Sequence, residues 1–201
     1  MIKPIKQILW ATDFSEESKE ALAYADLFAR TLKAKLIALH VVPDFAPALY
    51  ESFPEAEAQL IGRIEASKTN AKIKLDQMCQ GHGVCPAKVV IAEGSAAAVI
   101  LQTARKEGAD LIVVGRRGVS GPEPNLIGSV TTRLLRGSRV PVLVTKGTTA
   151  KPQGIKKVLV PTDFSIDEDV ERDHAWMLAK KLDASLTFLY VLEVFGHDFR
   201  L

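Results

Sequence analysis

Slid along itself by 150 positions, the sequence repeats: IKQILWATDFS, from Ile5, aligns without a gap on IKKVLVPTDFS, from Ile155. The register persists past that motif, with Ala25 on Ala175, Ala29 on Ala179, Leu32 on Leu182, Ala34 on Ala184, Leu36 on Leu186, Leu39 on Leu189 and Val41 on Val191. Agreement in one register over about forty residues means a duplicated folding unit, not a chance motif. In the first copy residues 8–11 form a short apolar strand and residues 12–15 a turn. Leu22, Ala25, Leu27, Ala29 and Leu32 then recur at roughly helical spacing, and residues 36–42 are an apolar run suited to a buried parallel strand. Ser15 is placed to cap the helix; in the second copy Ser165, with Glu168 three positions on, makes a capping box. Each unit therefore reads strand, helix, strand.

The first copy continues where the second stops. Residues 43–54 read as a proline-containing loop, 55–79 as a long helix with a polar face, and 81–83 as the glycine turn that ends it. Strands follow at 88–92, 111–114 and 140–145, separated by helices at 96–106 and 129–135. Strands alternating with helices predict an α/β fold, a five-stranded parallel doubly wound (Rossmann-like) sheet with helices on both faces. Residues 1–147 thus form a complete domain, 148–154 a polar Gly/Pro linker, and 155–201 a partial second βαβ repeat. About fifty residues with two strands and one helix cannot bury both faces of a sheet alone. A tandem protein cut short is the expected explanation.

Composition narrows the function. Hydrophobic residues at 47% and charged residues at 25% are ordinary globular values, which excludes disordered and coiled-coil chains. Basic and acidic residues number 19 and 15 up to Ala150 and 7 and 9 beyond it, so neither part carries the basic field of a nucleic-acid binder. No apolar run approaches the roughly eighteen residues of a membrane span. Two cysteines, Cys79 and Cys85, make no disulfide framework, and the expected compartment is the cytoplasm.

The stretch GRRGVSGPEPNLIGS, from Gly115 to Ser129, directly follows an apolar strand. Gly115 and Gly118 lie at the carboxyl end of that strand, where open α/β sheets place ligands and where small residues let backbone amides approach a phosphate. Gly128 and Ser129 open a helix, whose first amides and partial positive charge suit an anion. Asp13, at the end of the first strand, falls on the same rim, where its carboxylate can accept from ribose hydroxyls or an adenine amino group, or simply cap the following turn.

The spacing Gly115-x2-Gly118-x9-Gly128-Ser129, the Thr-Asp-Phe-Ser turn and the closing PVLV strand at 141–144 resemble the universal stress protein family in its ATP-binding branch. The resemblance covers residues 1–147 completely and 155–195 as the front of a second copy. It implies that Asp13 contacts the nucleoside, that Ala11 and Thr12 line the same pocket, and that Val41 touches adenine partly through its backbone. It further implies that Gly115, Arg116, Gly118, Gly128, Ser129 and Val130 wrap the ribose and phosphates of ATP with Mg2+. Pro122, Glu123 and Pro124 depart from the family pattern by stiffening the loop and adding an acid to it. Asp163 repeats Asp13 without a glycine loop, so one nucleotide site per chain is expected.

Other candidates are weaker. Cys79, His82 and Cys85 match no usual zinc spacing, and His40 on its apolar strand reads as a satisfied buried histidine. Arg116 and Arg117 carry guanidinium forks suited to phosphate, or are solvated loop residues. No general base placed to activate water is evident, and neither a Walker loop nor a Gly-x-Gly-x-x-Gly turn is present. The reading adopted is an ATP-binding regulatory switch that pairs as a homodimer, or within the chain, through the strand at 140–145. The alternatives are a slow ATP hydrolase or phosphoryl-transfer enzyme using Ser129 and magnesium, and a nucleotide-independent interaction module.

Overall fold

The computed structural model describes residues 3–43, 54–119, 126–146, 152, 154–163 and 169–191, the side chains of 54–60 and 169–171 excepted. Two compact units emerge, Pro4–Pro152 and Gln153–Leu201 together with Met1–Lys3. In the first, β1 (Gln7–Thr12), α1 (Glu16–Leu32), β2 (Lys35–Val42), α2 (Pro54–Gly81), β3 (Lys88–Glu93), α3 (Ala96–Glu107), β4 (Leu111–Gly115), α4 (Ser129–Gly137) and β5 (Val142–Thr145) follow in order. The sheet is parallel throughout, in the order β3-β2-β1-β4-β5. The expected α/β doubly wound fold is what the chain adopts.

Local chemistry accounts for the element ends. Ser15 Oγ accepts from the Ser18 N–H at 3.3 Å, Glu16 and Glu17 sit in the positive first turn of α1, and Arg30 in its last. Lys33 then takes the left-handed conformation at φ 55, and its N–H closes on the last carbonyls. Pro54 occupies the first position of α2, where a missing N–H costs nothing. The last strand starts at Val142 and not at Val140. Ser138 Oγ donates to the Val140 carbonyl at 2.7 Å and accepts its N–H at 3.2 Å, withholding both groups from the ladder, and Pro141 has no N–H to offer.

Alternation along the strands sorts the core into two layers. Ile8 and Trp10 of β1, fully buried, face the side covered by α1 and α2. Leu9, Ala11, Ile37, Leu39, Ile112 and Val114 meet Ile100, Ala104 and Leu134 of α3 and α4 on the other. Both faces of the central strands are covered by helices, which is why these strands read as continuous apolar runs. Each fully buried Leu or Ile contributes about 1.5–3 kcal/mol.

The second unit holds β6 (Lys157–Pro161), α5 (Asp169–Leu182) and β7 (Ser185–Leu189), the two strands again parallel. It reproduces the first copy down to single bonds. Asp183 is left-handed at φ 53 where Lys33 is, Ala184 N–H bonds Ala179 O as Ala34 bonds Ala29, and Ser185 N–H bonds Lys156 O as Lys35 bonds Lys6. Burial differs: Leu159, aligned on the fully buried Leu9, is 59% exposed, and Phe188, aligned on buried Ala38, is 44% exposed. The capping pair Ser165 and Glu168, most of the linker, and Pro122, Glu123 and Pro124 lie outside the described residues.

Candidate functional site

β2 and β3 are added on one side of β1 and β4 and β5 on the other, so the order of strand addition reverses at β1, between the carboxyl ends of β1 and β4. Open parallel sheets leave a crevice at such a point. A cavity of about 490 Å3 lies there, within the size range of small-ligand sites. β1 supplies Ala11 and Thr12, the turn after it Asp13, and β2 Leu39 and Val41. Gly115, Arg117 and Gly118 form one arm of the glycine loop against it, and Gly128, Ser129 and Val130 the other. Nine of the ten expected site residues thus line one cavity. Arg116 does not: its guanidinium is drawn toward Glu17, with Nη2 3.6 Å from Oε1.

The Thr-Asp-Phe-Ser turn is shaped by its own side chains. Thr12 Oγ1 accepts the Phe14 N–H at 3.0 Å and is 2.8 Å from Ser18 Oγ, while Asp13 Oδ1 accepts the Ser15 N–H at 3.0 Å and hydroxyl at 2.6 Å. Phe14 is driven to φ 66, an uncommon state for a bulky residue, and its ring stacks on His40 at 4.3 Å with the Lys74 ammonium 4.6 Å from its centroid. This leaves Asp13 Oδ2 aimed across the crevice, where it accepts the Val119 N–H at 2.8 Å. A Cβ at Gly118 would overlap that oxygen. Burial works against ionisation of Asp13, but the bonds from Ser15 and Val119 outweigh it and hold the carboxyl below its ordinary value.

The glycines are set by close approach. A Cβ on Gly115 would stand 2.8 Å from the Glu17 carbonyl carbon, and one on Gly128 would stand 3.3 Å from Arg116 O. Gly128 N–H donates to that Arg116 O at 2.9 Å, joining the loop's two arms. As N-cap of α4, Gly128 brings no side-chain acceptor to the helix's first amides, and no acid occupies the first turn. Thr131 Oγ1 is used internally, donating to Gly115 O at 3.0 Å.

His40 is half-buried, its Nδ1 2.8 Å from Thr12 O, as expected of a satisfied histidine. Cys79 is buried and Cys85 exposed, and among the described residues no group of three or more His, Cys, Asp or Glu is arranged to hold a metal. Sequence reasoning missed Ala96 and Ile100 of α3, which complete the apolar wall, and Glu17, whose carboxylate accepts the Arg117 backbone N–H from outside the cavity. The α3 pair was visible as an i, i+4 apolar spacing; nothing local marked Glu17.

The model of the family described as the universal stress protein family matches residues 4–146. The chain belongs to that family. A universal stress protein of Methanocaldococcus jannaschii, MJ0577, is 33% identical over 70% of this chain and 94% of its own length. The solved structure of MJ0577 superposes with a TM-score of 0.60 at 30% identity, over 74% of this chain and all of that one. A universal stress protein from Archaeoglobus fulgidus covers 93% of this chain and 67% of its own, with a TM-score of 0.70 and 25% identity. A further universal stress protein, solved in complex with cAMP, shares the fold at 23% identity and a TM-score of 0.51, over 73% of this chain and all of its own. No helix among the described residues of this family member is long and apolar enough to cross a membrane.

Proposed function

We propose that this universal stress protein binds an adenine nucleotide, ATP before others, between the end of β1 and the glycine loop, and that occupancy regulates its association with partners. The observation that carries the reading is the convergence of Asp13, Val41 and both glycine arms on one crevice at the sheet's switch point. The residues suit the ligand part by part. Leu39, Val41, Ala96 and Ile100 make an apolar slot for a base, and Asp13 is an acceptor for sugar hydroxyls. The first amides of α4 with the Ser129 hydroxyl suit phosphate oxygens. Magnesium would arrive on the phosphates, and the Ser129 hydroxyl, on the same wall of the cavity, would be an oxygen ligand for it.

Regulation would work through population: a ligand that binds one arrangement of the glycine loop better than the others shifts the chain toward it. The edge strand β5, whose Val142, Leu143 and Val144 are half-buried, supports pairing with a second copy or within a tandem chain. On this reading 155–201 is the front of a second repeat, and two free cysteines accord with a reducing cytoplasm.

Calorimetry with ATP and magnesium tests the site, on the chain as it stands and on Ser129→Glu. Ser129 is exposed and opens α4, where a carboxylate is helix-compatible. A new charge about 5 Å from a phosphate costs roughly 3 kcal/mol at an effective dielectric near 20, on the order of a hundredfold in affinity. Micromolar binding lost by that factor is expected. No binding by the unaltered chain, or equal binding by both, refutes the reading.

A further inference from the structure

Glu17 lies in the first turn of α1, is not among the residues lining the cavity, and is only 15% exposed. Its carboxylate reaches one hundred residues along the chain to the glycine loop. Oε2 accepts the Arg117 backbone N–H at 2.8 Å, while Oε1 accepts Arg117 Nε–H at 2.7 Å and lies 2.6 Å from Nη2. The residue before Arg117 supplies the carbonyl that takes the Gly128 N–H, and Gly128 is the N-cap of α4. One carboxylate therefore fastens α1 to the loop's first arm, and that arm fastens the start of α4. Gly115 belongs to the same junction, because its missing Cβ lets the Glu17 backbone sit against it.

We propose that Glu17 is a positioning residue of the nucleotide site: without touching the ligand, it holds the arm that orients the first amides of α4, and so sets affinity for the phosphates and not for the nucleoside. The inference rests on the nucleotide reading above. A role in folding alone is disfavoured because α1 has independent anchors. Ser15 caps it, Trp10 Nε1–H donates to Ser18 O at 3.0 Å, and Ala21, Leu22 and Ala25 are fully buried in the core. Loss of the carboxylate should loosen the loop and leave the helix.

The test uses the full chain and Glu17→Gln, which keeps the shape and one acceptor but loses the charge-assisted bonds to the guanidinium. Glu17→Ala serves as the complete deletion. Calorimetry with ATP and with adenosine should show ATP weakened about tenfold or more, as loss of a hydrogen bond to a charged group predicts, with adenosine changed by less than about twofold. Hydrogen exchange without ligand should show faster exchange at 116–119 and 126–131, with β1 and β2 unchanged. Equal losses for ATP and adenosine, or wild-type behaviour of both variants, overturn the proposal while leaving nucleotide binding intact. Failure of the unaltered chain to bind ATP overturns the nucleotide reading and the phosphate role of Glu17 with it.

Discussion

Replacing Gly115 by alanine isolates the contact on which the site's geometry depends. The added Cβ would stand 2.8 Å from the Glu17 carbonyl carbon, 2.9 Å from its oxygen and 3.0 Å from the Ser18 nitrogen, all backbone atoms, where ordinary contact begins at 3.4 Å. Backbone cannot swing aside as a side chain can, so the first turn of α1 must retreat by roughly 0.6 Å to restore contact. Overpacking of this kind costs about 1–3 kcal/mol. The retreat also stretches the Arg117 N–H bond to Glu17 and the Trp10 bond to Ser18 O, adding about 1 kcal/mol. A total of about 2–4 kcal/mol lowers the midpoint of a unit this size by roughly 5–12 °C. Gly62→Ala is the control: nothing lies within 4 Å of its would-be Cβ in the interior of α2, and about 0.5–1 kcal/mol of stabilisation is expected. Thermal unfolding can be followed by Trp10 fluorescence in a Trp176→Phe background, because Trp10 is fully buried in β1 and Trp176 is 58% exposed. A Gly115→Ala midpoint at or above that of the parent chain would refute the close approach, and with it the argument for the junction.

Acid should lower the stability of the first unit over two pH windows. Burial pushes the His40 pKa below its ordinary 6.5, against the Thr12 carbonyl and the Asp13 charge that raise it, with Lys74 lowering it further. The unfolded chain therefore takes up that proton first, and stability present above pH 6.5 declines as pH falls below it. Asp13 and Glu17, both held below their ordinary values, contribute stability above the unfolded carboxylate range that is lost as pH falls below about 4. His40→Asn keeps a donor for Thr12 O and cannot titrate, so urea midpoints measured against pH should lose the upper limb alone; an unchanged slope between pH 5 and 6.5 would contradict this. The thiols should separate as cleanly: burial, with help from Asp76 and Cys85, pushes Cys79 up to about 11, while Cys85 is exposed. A thiol reagent at pH 8 should modify Cys85 quickly and Cys79 only on unfolding, and two fast thiols would show that the core around Cys79 is not closed.

The strand and helix pattern was readable because each element is written in chemistry its own neighbours supply. Residues 8–11 and 111–114 are apolar enough for a strand buried on both faces, Ser15 caps α1 as its position suggested, and the glycine spacing singled out the loop through its resemblance to the family. Ends were less readable. β5 begins at Val142 because Ser138 captures Val140, a side-chain choice that apolar periodicity does not record. Arg116 carried the same guanidinium as Arg117, and only Arg117 reached the cavity wall. In the second copy the same pattern forms the same strands, yet Leu159 stands exposed where Leu9 is buried, because burial belongs to the surroundings and not to the residue.

Local order in this chain follows from the sequence: the alternation of elements, the αL turns at Lys33 and Asp183, the capped start of α1 and the bend after Asp13 all arise among residues a few positions apart. Tertiary structure decided the rest. Which glycine must be a glycine, which arginine faces the crevice and why Glu17 matters depend on β1 lying between β2 and β4. That order brings residues one hundred positions apart to hydrogen-bonding distance, and no local periodicity or propensity encodes a contact between α1 and the loop after β4.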